Sequence, residues 1–304
     1  MDIRVLTYFI AIVQTGSISN AAQSLHITQP TLSRQIKELE QELDTILFYR
    51  GSREIQLTEA GQYLYNRALE ITSLVKKTED TLRPTETISG DLYIGAAESQ
   101  SLEPIARAIE SLTSRYPNTR VHIQSGNADH ILEQLQDGIH DLGITFGRFS
   151  TKKFDSLPLL NRDSWGILVP RFHPLASKEE LVLSDVLAYP LIVSSQSNVD
   201  KSIFAGLGDY RIVATYNLLY NASLLVKAGV GIALCLDGIV DTSYDGSGLV
   251  FRPLDLSRDS LQLLWKKGVV LSPIAKCFIE ILEEEIENVN LYLTKIKNSD
   301  MIVL

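Results

Sequence analysis

Five polar side chains gather on the N-terminal half of one amphipathic segment. Gln29, Thr31, Ser33, Arg34 and Lys37 interleave with an apolar stripe of Leu32, Ile36, Leu39 and Leu43, spaced four, three and four apart. The acids Glu38, Glu40 and Glu42 come only in the second half, so the first half is built to approach an anion. An amide side chain can pair bidentately with adenine and a guanidinium with guanine, while hydroxyls reach bases or phosphates. A second cationic spot lies in residues 46–58, which read as a hairpin with Gly51-Ser52 at its turn and Arg50 and Arg53 on either side.

Catalytic chemistry finds no comparable constellation. The five histidines, His26, His122, His130, His140 and His173, show no HExxH pattern and no paired Cys/His spacing, and no G-x-S-x-G elbow occurs. Gly-x-Gly fragments at Gly206, Gly229 and Gly246 lack the third glycine of a dinucleotide fingerprint. The two cysteines, Cys235 and Cys277, cannot form a disulfide framework and read as small buried hydrophobes of a reducing compartment. The expectation is a protein that is not an enzyme and that carries neither cofactor nor metal.

Several elements must position the polar face. Leu6, Phe9, Ile10 and Val13 recur at helical spacing until Gly16 stops the run, and Ser17 is placed to cap a second helix, Ile18 to Leu25. After His26-Ile27, Thr28 caps the third helix and Pro30 occupies its first turn, where a missing N–H costs nothing. Helix, turn, helix and a winged hairpin follow in order. From Thr58 to about Leu82 a long helix carries Leu64, Ala68, Ile71, Val75, Thr78 and Leu82, spaced alternately four and three apart, a seam that predicts dimerisation.

The run Pro84 to Gly90 breaks this pattern. Beyond it, short strands alternate with helices in two sets, one starting at Leu92 and the other at Trp165, which predicts parallel sheets with crossover helices and a ligand cleft between two units. The last strand, Leu261 to Trp265, falls to the second set, before a terminal helix from Ser272.

A chain of 304 residues is long for one domain, and 45% hydrophobic with 21% charged residues excludes a disordered or collagen-like polymer. The net charge of −9 argues against indiscriminate coating of nucleic acid or membrane. The segment before Pro84 nevertheless holds nine of the 28 Lys/Arg against ten of the 37 Asp/Glu, so the acidity belongs to the larger remainder. With no long apolar run and no leader pattern, a soluble, cytoplasmic protein without membrane contact is expected.

Three motifs carry a resemblance: Phe9-Ile-Ala-Ile-Val-Gln-Thr-Gly-Ser, then Asn20 through Glu40, then Leu57-Thr-Glu-Ala-Gly. Together they resemble the winged helix-turn-helix of LysR-type transcriptional regulators. Gly90-Asp-Leu-Tyr-Ile-Gly, Leu135 through Ile144, Val169-Pro-Arg-Phe-His-Pro-Leu-Ala and Val226-Lys-Ala-Gly-Val-Gly-Ile-Ala-Leu are similar to that family's effector domain. The resemblance implies an α/β chain: a winged helix-turn-helix at 1–58, a linker and dimerisation helix at 59–87, and a periplasmic-binding-protein-like effector domain. Its first subdomain would comprise 88–163 and 268–304 and its second 164–267, with crossings near Arg162-Asp163 and Lys267-Gly268.

By the same resemblance, Gln29, Pro30, Thr31, Ser33 and Arg34 face the DNA major groove or its edges and Arg53 lies in the wing near the minor groove; Lys37 on the same helix face and Arg50 on the other side of the hairpin turn join them from the residue pattern. Leu64, Ala68, Ile71, Val75 and Leu82 would join a homodimer or homotetramer. Small organic effectors would be held by Ser99 and Gln100 at a helix start, by Asn127, and from the other side by Ser194, Ser195, Gln196 and Ser197. Ala96 and Ala97 stand where family members use Thr, and Glu98 follows; it either points into solvent, which the alternation of strand faces favours, or favours an effector with a cationic group. The partners implied are promoter DNA, a small-molecule effector and, as a further candidate, RNA polymerase. The alternative is a small-molecule-binding protein whose N-terminal helices serve protein contacts rather than DNA.

Overall fold

A computed structural model describes residues 1–49, 55–82, 87–147, 149–160, 163–179, 181–196, 203–256 and 260–300, with the backbone alone described at 77, 80, 81, 245 and 289–300. The chain divides into two compact units, Met1–Pro84 and Thr85–Leu304. In the first, helices α1 (Ile3–Thr15), α2 (Ile18–Ser24) and α3 (Gln29–Glu42) precede a longer α4 (Glu59–Leu82). Asp2, Ser17 and Thr28 cap the first three, each side-chain oxygen accepting an orphan backbone N–H.

Helices α2 and α3 end alike. Ile27 N donates to Ala22 O and His26 N to Gln23 O; Thr45 N and Asp44 N repeat the arrangement on Glu40 O and Gln41 O. This paired pattern requires a left-handed residue, and His26 (φ 54) and Asp44 (φ 47) supply it without being glycine. Leu6, Phe9 and Ile12 of α1, Ala21 and Ala22 of α2, and Leu32, Ile36 and Leu39 of α3 form the core, where the Phe9 and Phe48 rings lie 5.2 Å apart. Leu43 departs from the expected stripe: it is 38% exposed, because α3 has already ended, while the buried Glu40 carboxylate accepts Leu47 N at 2.8 Å.

The long helix is partly committed to its own unit. Leu64 and Ala68, expected in a dimer seam, are buried in this core, so they have no surface left for a partner. A Cβ on Gly61 would run into the Leu47 carbonyl oxygen, which explains the glycine of Leu57-Thr-Glu-Ala-Gly: α4 starts in backbone contact with the hairpin base. Ile71 packs half-buried on the same core, Val75 is half-buried, and Leu74 and Leu82 are 50% and 76% exposed.

The second unit holds two five-stranded sheets. The first runs β2 (Thr119–Ser125), β1 (Gly90–Ala96), β3 (Leu142–Phe146), β10 (Leu261–Lys266), β4 (Phe154–Leu159). Helices α5 (Glu103–Arg115) and α9 (Pro273–Asp300) bury Ile105, Ala108, Leu112, Phe278 and Leu282 on it, and α6 (Ala128–Gln136) sets Leu135 against Phe154 and Leu264. The second sheet runs β7 (Ile212–Tyr216), β6 (Leu191–Ser194), β8 (Ile232–Leu236), β5 (Trp165–Pro170), β9 (Leu249–Pro253). Helix α7 (Leu183–Leu187) and helix α8 (Leu219–Lys227) bury Val186 and Val226 in its two core clusters. No helix among the described residues is long and apolar enough to cross a membrane.

Three expectations are corrected. The sheets are mixed rather than parallel: β10 runs antiparallel to β3 and β4, and β5 antiparallel to β8 and β9. Strand β4 carries Pro158 and polar Asp155 and Ser156 and so reads poorly as a strand; it survives at the sheet edge, where a missing donor is tolerated. Because β10 joins the first sheet, the second crossing lies between Leu254 of the second core and Leu261 of the first, not at Lys267-Gly268, and a second subdomain ending at 267 is too long. Residues 257–259 of that crossing lie outside the described residues.

Left-handed backbone costs a β-carbon about 1 kcal/mol. His26→Gly should therefore raise stability by about that amount, read as a higher urea midpoint of the helical circular dichroism signal, with the helix-turn-helix unchanged.

Candidate functional sites

Burial of the stripe decides what α3 shows. With Leu32, Ile36 and Leu39 in the core, Gln29, Pro30, Thr31, Arg34 and Lys37 are exposed and Ser33 half-buried. Thr31 Oγ1 lies 2.8 Å from Thr28 Oγ1, so the hydroxyl at the start of the helix is held in place. Glu38 accepts from Gln35 Nε2 at 2.8 Å and stands 3.7 Å from Arg34 Nε; the pair is solvent-exposed and weak, which leaves the guanidinium available. The hairpin base is present, with Phe48 bridged to Leu57 and Tyr49 N donating to Gln56 O. Arg50 and Arg53 lie outside the described residues.

In the second unit, the loops after the strands meet across the two sheets. Ser99 does not open a long helix: a three-residue turn, Gln100–Leu102, follows it, and Ser99 Oγ accepts Ser101 N at 2.8 Å. The same hydroxyl donates to Asp163 Oδ2 at 2.6 Å, and Gln100 N donates to Asp163 Oδ1 at 3.2 Å. Asp163 is 1% exposed, so this carboxylate acts as an internal acceptor at the crossing between subdomains. Gln100 Nε2 reaches Asp237 Oδ1 at 2.9 Å, and Ser164 N reaches the same oxygen at 2.8 Å.

Asn127 caps α6 through His130 N and extends Nδ2 to Ser195 Oγ at 3.4 Å. Gln196 Oε1 accepts Ala128 N at 3.3 Å, and Ser194 Oγ accepts Gln196 N at 3.2 Å. Ser99, Gln100, Asn127, Ser194, Ser195 and Gln196 thus line up at the junction of the two sheets, whereas Ser197 lies outside the described residues. Glu98 corrects an expectation: it is half-buried, and Oε2 accepts Leu219 N of α8 at 2.7 Å. Strand alternation ends at Ala96, so it does not dictate where Glu98 points.

Asp163 and Asp237 join the junction without being among the expected site residues. Nothing local marks Asp237, which merely follows β8, while Asp163 stood out only as a crossing point. Burial pushes the Tyr216 phenol well above its ordinary range, with the neighbouring Cys235 and Glu98 adding to the effect, and its hydroxyl donates to Leu234 O at 2.8 Å. Cys235 is buried in the second sheet's core, which pushes its thiol far up, and Cys277 packs on the first.

Comparison with known proteins decides the family. Residues 3–62 match the family model described as the bacterial regulatory helix-turn-helix protein of the lysR family, and residues 85–287 match the LysR substrate binding domain. The chain belongs to the LysR family of transcriptional regulators. It is a DNA-binding regulator with an effector-binding domain. Among its relatives, the HTH-type transcriptional regulator YbhD of Escherichia coli (strain K12) is 30% identical over 90% of this chain and 88% of its own length. The Hca operon transcriptional activator HcaR of the same strain is 28% identical over 95% and 99%. Full-length BenM is similar in structure, with a TM-score of 0.53, 26% identity, and coverage of 97% and 98%. Full-length CbnR in complex with its target DNA gives a TM-score of 0.67 over 94% and 100%, a likeness of fold at 20% identity.

In this LysR-family chain, losing the Asp163 acceptor would strand the Ser99 hydroxyl and the Gln100 amide. Asp163→Ala should cost the effector domain about 1.5–3 kcal/mol in urea denaturation, and Asp163→Asn, which keeps one acceptor oxygen, should cost less.

Proposed function

We propose that this regulator reads operator DNA with the exposed N-terminal half of α3. Gln29, Thr31, Ser33 and Arg34 approach base edges, Pro30 and Lys37 lie at the groove margin, and Arg50 and Arg53 of the wing reach the backbone or minor groove. The observation that carries this is the orientation of α3: its apolar side is buried and its amide, hydroxyl and cationic side faces outward. We further propose that a small-molecule effector binds between the two sheets of the second unit, against Ser99, Gln100, Asn127 and Ser194–Gln196. A ligand shifts the balance between arrangements only through its difference in affinity for them. The work is done in the cytoplasm by a homodimer or a larger homo-oligomer.

Arg34→Ala should remove about 1–3 kcal/mol of discrimination against a changed base, whereas Lys37→Ala should weaken all sequences alike and lower the salt slope by about one. Competitive gel-shift titrations at several salt concentrations separate the two. Unchanged affinity and selectivity in Arg34→Ala would instead favour α3 as a protein-contact helix.

With Leu64 and Ala68 buried in their own unit, the dimer contact is placed on Ile71, Val75 and Leu82 of the expected seam, joined by the exposed Leu74 beside Val75, which the seam did not include. Leu74→Asp combined with Val75→Asp should bury unpaired charge in that seam and lower the sedimentation mass towards the monomer. Operator affinity should fall with it, and the helix-turn-helix should stay folded.

A further inference from the structure

One bond across the effector cleft has consequences beyond holding the lobes together. Helix α8 has nine residues, and Leu218 before it offers no side-chain cap, so its first amide must find an acceptor elsewhere. The acceptor is Glu98, 121 positions away on the other sheet's loop, at 2.7 Å and half-buried. A carboxylate at a helix N-terminus is favoured by both hydrogen bonding and the helix dipole. Beside it, Gln100 lies across to Asp237 and packs closely on Gly238, whose left-handed backbone (φ 70) favours glycine. The loop of residues 98–100 therefore reaches across twice, through Glu98 to a backbone amide and through Gln100 to Asp237, which also accepts a backbone amide; none of these described partners is cationic.

We infer that Glu98 sets the charge class of the effector: this part of the cleft takes a ligand bearing an ammonium or amidinium group and rejects a carboxylate. The inference rests on the reading of the cleft as the effector site. A ligand carboxylate here meets like charge, and it gains the α8 amide only by evicting Glu98 and leaving that half-buried charge without its donor. A ligand cation meets a carboxylate already held in place and can add charge-assisted bonds to it without breaking the cap.

The test uses full-length protein and four probes of matched length, 1,4-diaminobutane, 4-aminobutyrate, succinate and 1,4-butanediol, followed by calorimetric titration and thermal shift. The amine-bearing probes should bind and raise the melting temperature, with the diamine ahead of succinate by tenfold or more. Glu98→Gln, which keeps an acceptor for Leu219 N, should erase that preference. Amide exchange at Leu219 checks that α8 stays capped in this variant. Succinate equal to or better than the diamine, no response to either amine, or an amine response untouched by Glu98→Gln overturns the inference. Ser195→Ala separates the two readings: if it weakens probe binding while Glu98→Gln does not, the cleft stands and the charge assignment fails. If neither variant changes the binding of a responsive probe, the cleft itself is the wrong site.

Discussion

Backbone amides left over at the ends of helices have to find acceptors, and much of this molecule is arranged around that need. In the DNA-binding unit the acceptors are close at hand: Asp2, Ser17, Thr28 and Thr58 each serve the helix that begins beside them. In the effector unit several come from far away. Asp163 receives Gln100 N, Gln196 receives Ala128 N and Glu98 receives Leu219 N, each pair more than 60 positions apart. Local capping makes elements that form independently; distant capping makes the ends of elements depend on how the lobes meet.

That difference matches the work of each unit. A DNA-binding unit must keep its side chains at fixed positions, and here α3 is held by three buried apolar residues, a local cap and the buried Glu40 that fastens the hairpin behind it. An effector domain must respond, and its two sheets are joined at the cleft by single hydrogen bonds between side chains and amides. Each contributes on the order of 1 kcal/mol, so a small ligand that replaces or reinforces a few of them can shift the balance.

The mixed sheets serve the same end. Strand β10 returns from the second lobe to sit between β3 and β4, so the strand ends that bound the two crossings pair side by side, Leu159 with Leu261 and Gly166 with Pro253, and α9 completes the first core with Phe278 and Leu282. Two connections constrain relative motion more than one would, while the lobes keep separate hydrophobic cores.

The sequence by itself determined the order of the helices, their caps, the outward side of α3 and most of the strands, because these follow from short-range periodicity and from Ser, Thr, Asp and Pro placed within a few residues of the group they satisfy. The outward face of α3 was legible for that reason. Tertiary structure alone decided that Leu64 and Ala68 belong to their own unit, since a heptad stripe looks the same whether it covers a neighbouring helix or a second chain. It decided that the strand at Leu261–Lys266 joins the first sheet, since a strand's pattern names a buried face but not its neighbours. It also decided that Glu98 turns inward and that Asp163 and Asp237 stand at the cleft. A carboxylate's partner in each case is a backbone amide or side chain from a distant segment, and backbone amides have no sequence signature.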